Sequence, residues 1–417
     1  MSVFNSERIE VVSSQSSDEQ QQGGALKDLK VVELGSMLAG PFVGTMLADF
    51  GARVVKVEKP GKPDALREWP PHKDGFALWW KTMARNKHLV TLDISQPKAR
   101  ELALRLVGES DIVIENFRPG TLERWGLSPE ELRERFPQIV WVRVSGWGQN
   151  GPNSGQGGYA TIAEAFSGLA SFTGHPAVGP MVSAFPMGDY LAGIFGAFGA
   201  LAAIHRREKT GEGQIVDVAL YEPLLRIIEA VVVRYDQTGV NKPLLGNQME
   251  EDVPRNIYAA SDGGAIAISC GSQRIFEALA DAMERPDLKA DQRFRTMTDR
   301  VANRGAIDAE VAGWVGAQKT DDALTQLLAH GVVAGKINTI GDVLQDAHVA
   351  ARRMIRTIAD PDVGIMRMPA PVPALSETPG SIRWTGLNPG SSNDEVFGGW
   401  MGLSADELSA LKRDRII

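Results

Sequence analysis

The 417-residue sequence contains a single cysteine, Cys270. One thiol cannot form an intramolecular disulfide or a thiolate metal cluster, so neither can stabilise this fold. The six histidines are scattered without the spacing of metal ligands, and we predict no metal site. This sparse use of cysteine is compatible with a reducing compartment, and we predict a cytoplasmic location.

The chain also lacks an excess of basic residues and a long apolar run. Its formal net charge of -8 argues against a nucleic acid as the main partner, because proteins that bind nucleic acids are usually basic. A membrane-spanning helix needs about 18 consecutive apolar residues, whereas the apolar stretch at 192–204 covers only 13. We therefore predict no nucleic-acid partner, no membrane partner, and a core helix at this stretch.

The N-terminal segment has no apolar centre either. Residues 1–24 are rich in Ser, Gln and acidic side chains, which argues against a secretory signal peptide. A segment of this composition cannot bury enough apolar surface to fold, so we predict a disordered tail.

The rest of the chain alternates strand and helix patterns. Residues 30–34 and 53–57 have the apolar character of buried strands. The helix between them is expected to begin at Gly40 and Pro41, since proline is tolerated in a first turn, and to end near Gly51. Two strands joined by one helix in so short a span form a βαβ unit, so we predict a parallel sheet.

The same alternation continues to about residue 236, where the sequence becomes polar and irregular. We predict an α/β fold with a Rossmann-like parallel sheet in a large domain and a smaller α+β domain. The expected limits are 25–236 for the first part of the large domain, 237–337 for the small domain, and 338–417 for a C-terminal part that returns to the large domain. Further strands are expected at 89–92, 112–114, 139–144 and 215–219, and further helices at 97–107, after Ser128, at 190–207 and after Tyr221.

Two common nucleotide-binding motifs are absent. The sequence has no phosphate loop of the GxxxxGK type. The pattern GxGxxG does not occur in the first βαβ loop, which weakens a dinucleotide-binding interpretation of the Rossmann-like start.

Several segments together carry a family resemblance. They are, in chain order, LKVVELGSMLAGPFVGTMLADFGARVVKVEKPG, RNKHLVTLDIS, SDIVIENFRPGTLERWGL, VSGWGQNGP, FPMGDYLAGIFGAFGALAAIHRREKTGEGQIVDVAL and HGVVAGKINTIGDVLQDAH. In this order they resemble the class III CoA-transferases, the family of formyl-CoA transferase and carnitine CoA-transferase. The resemblance covers nearly everything after residue 25, and it implies an enzyme that moves coenzyme A from an acyl-CoA donor to a carboxylic acid acceptor.

The resemblance implies that Asp189, in the run Met187-Gly188-Asp189-Tyr190, is the catalytic nucleophile. It also implies aspartyl anhydride and aspartyl-CoA thioester intermediates. The start of a long helix suits this role, because the helix dipole and open backbone N–H groups favour an ionised carboxylate. The alternative is that Asp189 is only a helix N-cap.

The resemblance also implies a site for coenzyme A, which is a substrate here, with no tightly bound cofactor. Lys59, Arg118 and Arg124 supply cations for its phosphates. The residues that the resemblance places at this site are Leu38, Ala39, Lys59, Leu92, Asp93, Ile94, Ser95, Asn116, Phe117, Arg118, Arg124, Trp125, Gly158, Tyr159 and Ala160.

Three departures from related patterns bear on the reaction. Formyl-CoA transferase has a run of four glycines where this chain has Leu245-Gly246-Asn247-Gln248, so oxalate and formate are not favoured as substrates. Leu38 stands where that enzyme has Gln, which predicts a less polar acyl pocket. The racemases of the superfamily have an acidic residue at the position of Ala160, which disfavours an acyl-CoA racemase or isomerase. A non-catalytic acyl-CoA-binding subunit of a hetero-oligomeric transferase is the other alternative.

The resemblance implies an interlocked-ring homodimer, with a hetero-oligomer containing a paralogous subunit as the alternative. Interlocked chains cannot separate without unfolding, so we expect dilution to nanomolar concentration to leave the dimer intact. Light scattering and mass photometry across a dilution series test this expectation. A folded monomer at nanomolar concentration contradicts the interlocked arrangement.

Overall fold

The computed structural model describes residues 24–417, so the predicted tail lies outside the described residues except for Gly24. The chain divides into two compact units. Of the described residues, the first unit contains 24–167 together with Ser183–Ile228 and Ala350–Ile417, and the second contains Gly168–Val182 and Glu229–Val349. The domain limits expected from the sequence stay a prediction.

The strands in chain order are β1 (Lys30–Glu33), β2 (Arg53–Glu58), β3 (His72–Lys73), β4 (Phe76–Ala77), β5 (Lys87–Thr91), β6 (Ile112–Glu115), β7 (Val140–Ser145), β8 (Gly174–His175), β9 (Gly179–Pro180), β10 (Ile215–Ala219), β11 (Arg255–Ala259), β12 (Ala265–Ser269), β13 (Ala334–Lys336), β14 (Ile355–Asp360) and β15 (Gly364–Pro369).

The α-helices are α1 (Ala39–Asp49), α2 (Leu78–Met83), α3 (Pro97–Gly108), α4 (Thr121–Arg124), α5 (Pro129–Arg135), α6 (Ala160–Phe166), α7 (Leu169–Phe172), α8 (Met187–Thr210), α9 (Tyr221–Ile227), α10 (Glu229–Thr238), α11 (Gln273–Ala282), α12 (Asp287–Ala290), α13 (Met297–Ala302), α14 (Arg304–Gly316), α15 (Thr320–Ala329), α16 (Ile340–Val343), α17 (Ala347–Ala351) and α18 (Ala405–Arg413). A 3₁₀ helix covers Ala65–Glu68, and a π-helix covers Asp394–Trp400.

The first unit is built on a six-stranded sheet with the order β10-β7-β6-β1-β2-β5. Every neighbouring pair in it is parallel, which confirms the predicted parallel α/β architecture. The residues of β5, β6 and β7 are all buried, as is typical of parallel strands whose two faces are both covered.

The strand order contains a topological switch between β1 and β6. From β1 the chain builds outward through β2 and β5, and then returns to β6 on the other side of β1 before continuing through β7 and β10. The loops that follow β1 and β6 therefore leave a crevice at the carboxyl ends of these strands. Open α/β sheets bind their ligands in such a crevice.

Helix α8 packs against α1 and against the sheet through small residues. A Cβ added at Gly193 would lie 2.8 Å from Cδ1 of Phe42, and one added at Gly196 would lie 2.9 Å from Cγ2 of Val43. By length and composition alone this helix is apolar enough to cross a membrane. Its close contacts with α1 instead identify it as the core helix that the sequence predicted, extended by several residues at both ends.

The second unit has an antiparallel sheet, β11-β12-β13, with helices packed around it. Phe276, Phe294, Ile307 and Leu327 are fully buried in its core, and Cys270 is buried beside them. This core belongs to the second unit alone.

The hairpin formed by β14 and β15, which precedes the Pro-rich C-terminal stretch, was not predicted from the sequence. Its turn is anchored by Asp360, whose Oδ1 accepts hydrogen bonds from the backbone N–H groups of Asp362 and Val363. Lys81 forms an ion pair with the same carboxylate, so the hairpin is attached to the helix α2 region of the first unit.

The close contact between α1 and α8 predicts the effect of a single methyl group. Gly193→Ala should destabilise the protein by about 1–3 kcal/mol, since the side chain of Phe42 must shift to accommodate it. Gly313→Ala in α14 is the matched control, because an added Cβ there meets no other part of the chain beyond its own helix backbone and chain neighbours. The control should raise stability by up to about 1 kcal/mol through helix propensity. Chemical denaturation measures both, and equal effects would contradict the packing described.

Candidate active site

A cavity of about 260 Å³ lies at the switch between β1 and β6. Its walls come from the loop after β1, the loop after β6, the segment after β7 and the start of α8. The residues that line it are Ser36, Met37, Leu38, Ala39, Trp69, Asn116, Phe117, Arg118, Pro119, Val144, Ser145, Gly146, Ser154, Gln156, Gly157, Gly158, Tyr159, Asp189 and Leu220.

Asp189 is the third residue of α8, and the helix N-cap is Pro186. Its backbone N–H donates to the carbonyl of Pro186 at 3.1 Å, so the backbone of Asp189 is fixed in the first helical turn. The preceding Gly188 approaches Ala160 closely, with 3.2 Å between an added Cβ and the Cα of Ala160. This close approach places the carboxylate of Asp189 at the wall of the cavity.

The Asp189 carboxylate is half-buried and has no hydrogen-bond or ion-pair partner among residues 24–417. Burial raises the pKa of this carboxyl group to about 6. From the sequence, the helix start was expected to favour the ionised form, but here desolvation has the larger effect. The group is nevertheless largely ionised above pH 7, and its oxygens are not engaged with other side chains.

Aromatic side chains cover the helix start beside Asp189. Nε1 of Trp79 donates to the hydroxyl of Tyr190 at 2.9 Å. The Tyr190 ring packs against Phe42 and Phe185, with centroid separations of 4.5 and 4.6 Å. These rings pack beside the first turn of α8, next to Asp189 in the sequence.

The predicted site residue Asn116 joins the two loops of the crevice. Its Oδ1 accepts from the N–H of Ser36 at 2.8 Å, and its Nδ2 donates to the carbonyl of Ser36 at 2.8 Å. Gly35 and Gly40 leave room for this amide, since a Cβ at Gly35 would lie 2.6 Å from its Oδ1. The Asn116 side chain therefore fixes the cavity wall in addition to lining it.

A second cavity of about 420 Å³ adjoins the first and shares Ser36 and Phe117 with it. Nζ of Lys59 lies 3.1 Å from Oδ2 of Asp93 at its mouth. Burial alone would raise the pKa of Asp93, but hydrogen bonds from Ser95 and its neighbours lower it to about 2. The second cavity therefore has a charged rim.

The structure distributes the predicted coenzyme A residues over both cavities. Seven line the first cavity, namely Leu38, Ala39, Asn116, Phe117, Arg118, Gly158 and Tyr159. The second cavity is lined by Lys59, Leu92, Asp93, Ile94, Ser95, Trp125 and again Phe117. The rings of Phe117 and Trp125 meet edge to face at 5.1 Å, which forms an apolar wall.

Two predicted residues line neither cavity. Arg124 is exposed, and its Nη2 donates to Oγ1 of Thr121 at 2.9 Å. Ala160 is buried at the start of α6. It packs against Gly188 and so supports the first turn of α8, which carries Asp189.

The residues at these cavities that were not predicted from the sequence include Met37, Trp69, Gln156 and Asp64. Met37 lies within the first segment that carries the family resemblance, and Asp64 lies just after it. The sequence therefore placed this region at the site, but it did not indicate that these two side chains line the cavities. Trp69 reaches the cavity from an irregular segment that no periodic pattern marks.

Within residues 24–417 no group of three or more His, Cys, Asp or Glu side chains is arranged to hold a metal ion. The chemistry available at this site is that of a carboxylate, backbone N–H groups and nearby cations.

A family model described as CoA-transferase family III matches residues 26–392. The chain is 43% identical over 393 residues to succinyl-CoA–D-citramalate CoA-transferase of Chloroflexus aurantiacus, covering 94% of this chain and 98% of that relative. It is 37% identical over 395 residues to the alpha subunit of succinyl-CoA–L-malate CoA-transferase of Chloroflexus aurantiacus, covering 94% of this chain and 92% of the relative.

A solved structure supports the same grouping. The crystal structure of a CAIB/BAIF family protein from Brucella suis superposes with a TM-score of 0.81 at 32% sequence identity. The match covers 91% of this chain and all of that chain.

The raised pKa of Asp189 predicts a pH-dependent stability difference. A carboxyl group whose pKa rises on folding binds its proton more tightly in the folded state, so its cost is absent well below pH 4 and complete above pH 6. Asp189→Asn should therefore be more stable than the parent by about 1–3 kcal/mol at pH 8, with the difference fading toward pH 4. Denaturant titrations across this pH range measure it.

Asp93→Asn is the control of opposite sign. The pKa of Asp93 is lowered on folding, so its charge contributes stability that is present above the unfolded pKa and lost as the pH falls. The control variant should be less stable than the parent at pH 8. A parent that is more stable than Asp189→Asn at pH 8 would contradict the desolvation of Asp189.

Proposed function

This chain belongs to CoA-transferase family III, and on that premise we propose that it transfers coenzyme A from succinyl-CoA to a short dicarboxylic acid through covalent intermediates on Asp189. The observation that carries the proposal is the position of Asp189. It is a half-buried carboxylate without a partner in the described chain, in a cavity at the switch between β1 and β6.

In the proposed reaction, an oxygen of Asp189 attacks the thioester carbonyl of the donor and expels the coenzyme A thiolate. The product is a mixed anhydride between Asp189 and the donor acid. The thiolate then attacks the aspartyl carbonyl carbon, releasing the donor acid as a carboxylate and leaving an aspartyl-CoA thioester. The acceptor carboxylate attacks the carbonyl carbon of this thioester, expels the coenzyme A thiolate and forms a second mixed anhydride. The thiolate then attacks the acceptor's carbonyl carbon in this anhydride, which forms the acceptor-CoA thioester and releases Asp189 as a carboxylate.

Each of these steps exchanges one acyl bond for another, so no outside energy source is required. The main hazard is water, which hydrolyses both the anhydride and the thioester. The aromatic packing of Tyr190 with Phe42 and Phe185 is compatible with this requirement because it places apolar rings beside the first turn of α8. A pKa of about 6 also suits a nucleophile that must be ionised and yet desolvated.

Coenzyme A is proposed to span the two adjoining cavities. The thioester end lies in the first cavity beside Leu38 and Ala39, within reach of Asp189. The adenine end lies in the second cavity against Trp125, with Lys59 near its phosphates. Arg124 stays a predicted phosphate contact that lies outside both cavities.

The proposed donor and acceptor acids are inferred from the names of related enzymes. The two transferases of Chloroflexus aurantiacus are named for succinyl-CoA as donor and for D-citramalate or L-malate as acceptor. Citramalate and malate are short hydroxylated dicarboxylic acids, and we assign this class to the acceptor of the present enzyme. The cavity is apolar at Leu38 and carries the cation Arg118, which accommodates an acid with both a carbon chain and a second charge.

We propose an interlocked homodimer as the working form. Helix α8 exposes Ile194, Phe198 and Leu201, at a spacing that places all three on one face. An exposed apolar stripe of this kind is expected to be covered by another chain. The relative with a named alpha subunit keeps a hetero-oligomer as the alternative. A cytoplasmic location is proposed from the single cysteine.

Asp189→Asn tests the proposed nucleophile. The amide is close in shape but is not a nucleophile toward a thioester, so transfer from succinyl-CoA to D-citramalate or L-malate should fall by at least about 10⁴-fold. Binding of free coenzyme A should be unchanged. With the parent enzyme and succinyl-CoA alone, hydroxylamine should trap the activated carboxyl group on the peptide that contains Asp189, as located by mass spectrometry.

Glu164→Gln is the matched control for this experiment. Glu164 is a buried carboxylate in the same unit, but both its oxygens accept hydrogen bonds from Ser183 at 2.8 Å. It should keep transfer and trapping close to parent levels. Near-parent transfer by Asp189→Asn, after deamidation has been excluded, would place the chemistry elsewhere. A trapped peptide containing Glu164 or Glu222 would assign it to another carboxylate.

A further inference from the structure

We propose that Asp64 is a positioning residue for the transfer reaction, because it holds Met37 in a left-handed backbone conformation and so fixes the loop that faces Asp189. The inference rests on the proposed role of Asp189. Asp64 lies far from Asp189 in the sequence, and it acts through the backbone of the loop after β1.

The loop after β1 has an unfavourable backbone conformation. Met37 has a φ of 67°, a left-handed backbone conformation that is sterically unfavourable for a residue with a side chain. Such a conformation persists only where the surroundings impose it. Both neighbours, Ser36 and Leu38, line the same cavity as Asp189, so the conformation of Met37 sets the shape of the cavity wall.

Asp64 supplies the restraint on Met37. The Met37 N–H donates to Oδ1 of Asp64 at 3.0 Å and to Oδ2 at 3.2 Å. The same carboxylate accepts from the N–H of Leu66 at 3.0 Å and pairs with Nζ of Lys56 at 2.9 Å. Asp64 is only 6% exposed. Both its oxygens are therefore used inside the protein.

The carboxylate is itself held by a buried set of charges that reaches both ends of the loop. Lys56 donates to the carbonyl of Gly35 at 2.8 Å and pairs with Glu33 at 2.9 Å. Lys87 pairs with the other oxygen of Glu33 at 2.7 Å and donates to the carbonyl of Pro41 at 2.6 Å. Two cations and two carboxylates balance, and removal of Asp64 leaves one buried positive charge in excess.

The loop separates the two cavities, so a shift in it affects both. Gly35 and Ser36 line the second cavity, and Ser36 and Met37 line the first. Displacement of a substrate-contacting wall by about 1 Å can cost about 100-fold in rate. Asp64 also lines the second cavity, so the KM for succinyl-CoA reports any effect on coenzyme A binding. The proposal assigns the main effect of the network to how the thioester meets Asp189.

The test compares Asp64→Ala with Asp360→Ala. Asp360 is an equally buried carboxylate that also pairs with a buried lysine, Lys81, and accepts from two backbone N–H groups. It lines neither cavity. Asp64→Ala should lower kcat for coenzyme A transfer by about 10- to 100-fold, with a change in KM for succinyl-CoA below about threefold. Asp360→Ala should lose a comparable amount of stability and keep its kcat per folded molecule.

Met37→Gly provides the rescue. Glycine adopts positive φ without steric cost, so it should restore kcat about tenfold in the Asp64→Ala background. The double-mutant cycle compares this gain with the effect of Met37→Gly in the parent, which separates the restraint from any change to the cavity lining. Asp64→Asn, which keeps one carbonyl acceptor, replaces Asp64→Ala if the alanine variant does not fold, and it should show a smaller loss with the same rescue.

A kcat for folded Asp64→Ala that equals the parent value, an equal loss in Asp360→Ala, or no gain from Met37→Gly would each overturn the proposal. These outcomes are separate from failure of the proposed nucleophile. Transfer that survives in Asp189→Asn refutes the role of Asp189. The double-mutant cycle at Met37 and Asp64 compares transfer rates only, so its result does not depend on which carboxylate is the nucleophile.

Discussion

The rest of the structure depends on the parallel pairing of β1 with both β2 and β6. The chain leaves β1 toward β2 and later returns to β6 on the opposite side of β1. The loops after β1 and β6 therefore do not cover the same part of the sheet's carboxyl edge. The crevice between them holds the cavity that contains Asp189. Small residues in α8 then allow this helix to lie against α1 and bring its first turn to that crevice.

The site is maintained at the expense of stability. Asp189 is desolvated without a partner in the described chain, Met37 is strained, and four charged side chains, Glu33, Lys56, Asp64 and Lys87, are buried beneath the loop. None of these is the arrangement that stability alone would favour. Each of them lies at or directly beneath the cavity. Destabilising features are therefore concentrated at the cavity, as is expected for a site that keeps a carboxylate reactive.

Much of the fold could be predicted from sequence because its signals are local. The apolar runs of β1 and β2 and the proline at the start of α1 predict a βαβ unit, and Ser128 marks the start of α5. The motif around Asp189 located the candidate nucleophile. The restraint of Met37 by Asp64 could not be predicted, since it depends on side chains brought together across the sheet. The exposed position of Arg124 likewise depends on how the loop after β6 turns.

The central claim, that Asp189 carries the acyl group covalently, is tested most directly by isotope transfer. If the acceptor acid is labelled with oxygen-18 in its carboxylates, the anhydride step passes one labelled oxygen to the Asp189 carboxyl group when coenzyme A leaves with the acceptor. Mass spectrometry of the peptide containing Asp189 after turnover should show that labelled oxygen. An unlabelled Asp189 peptide, recovered after many turnovers in which labelled acceptor became its CoA ester, would contradict the account.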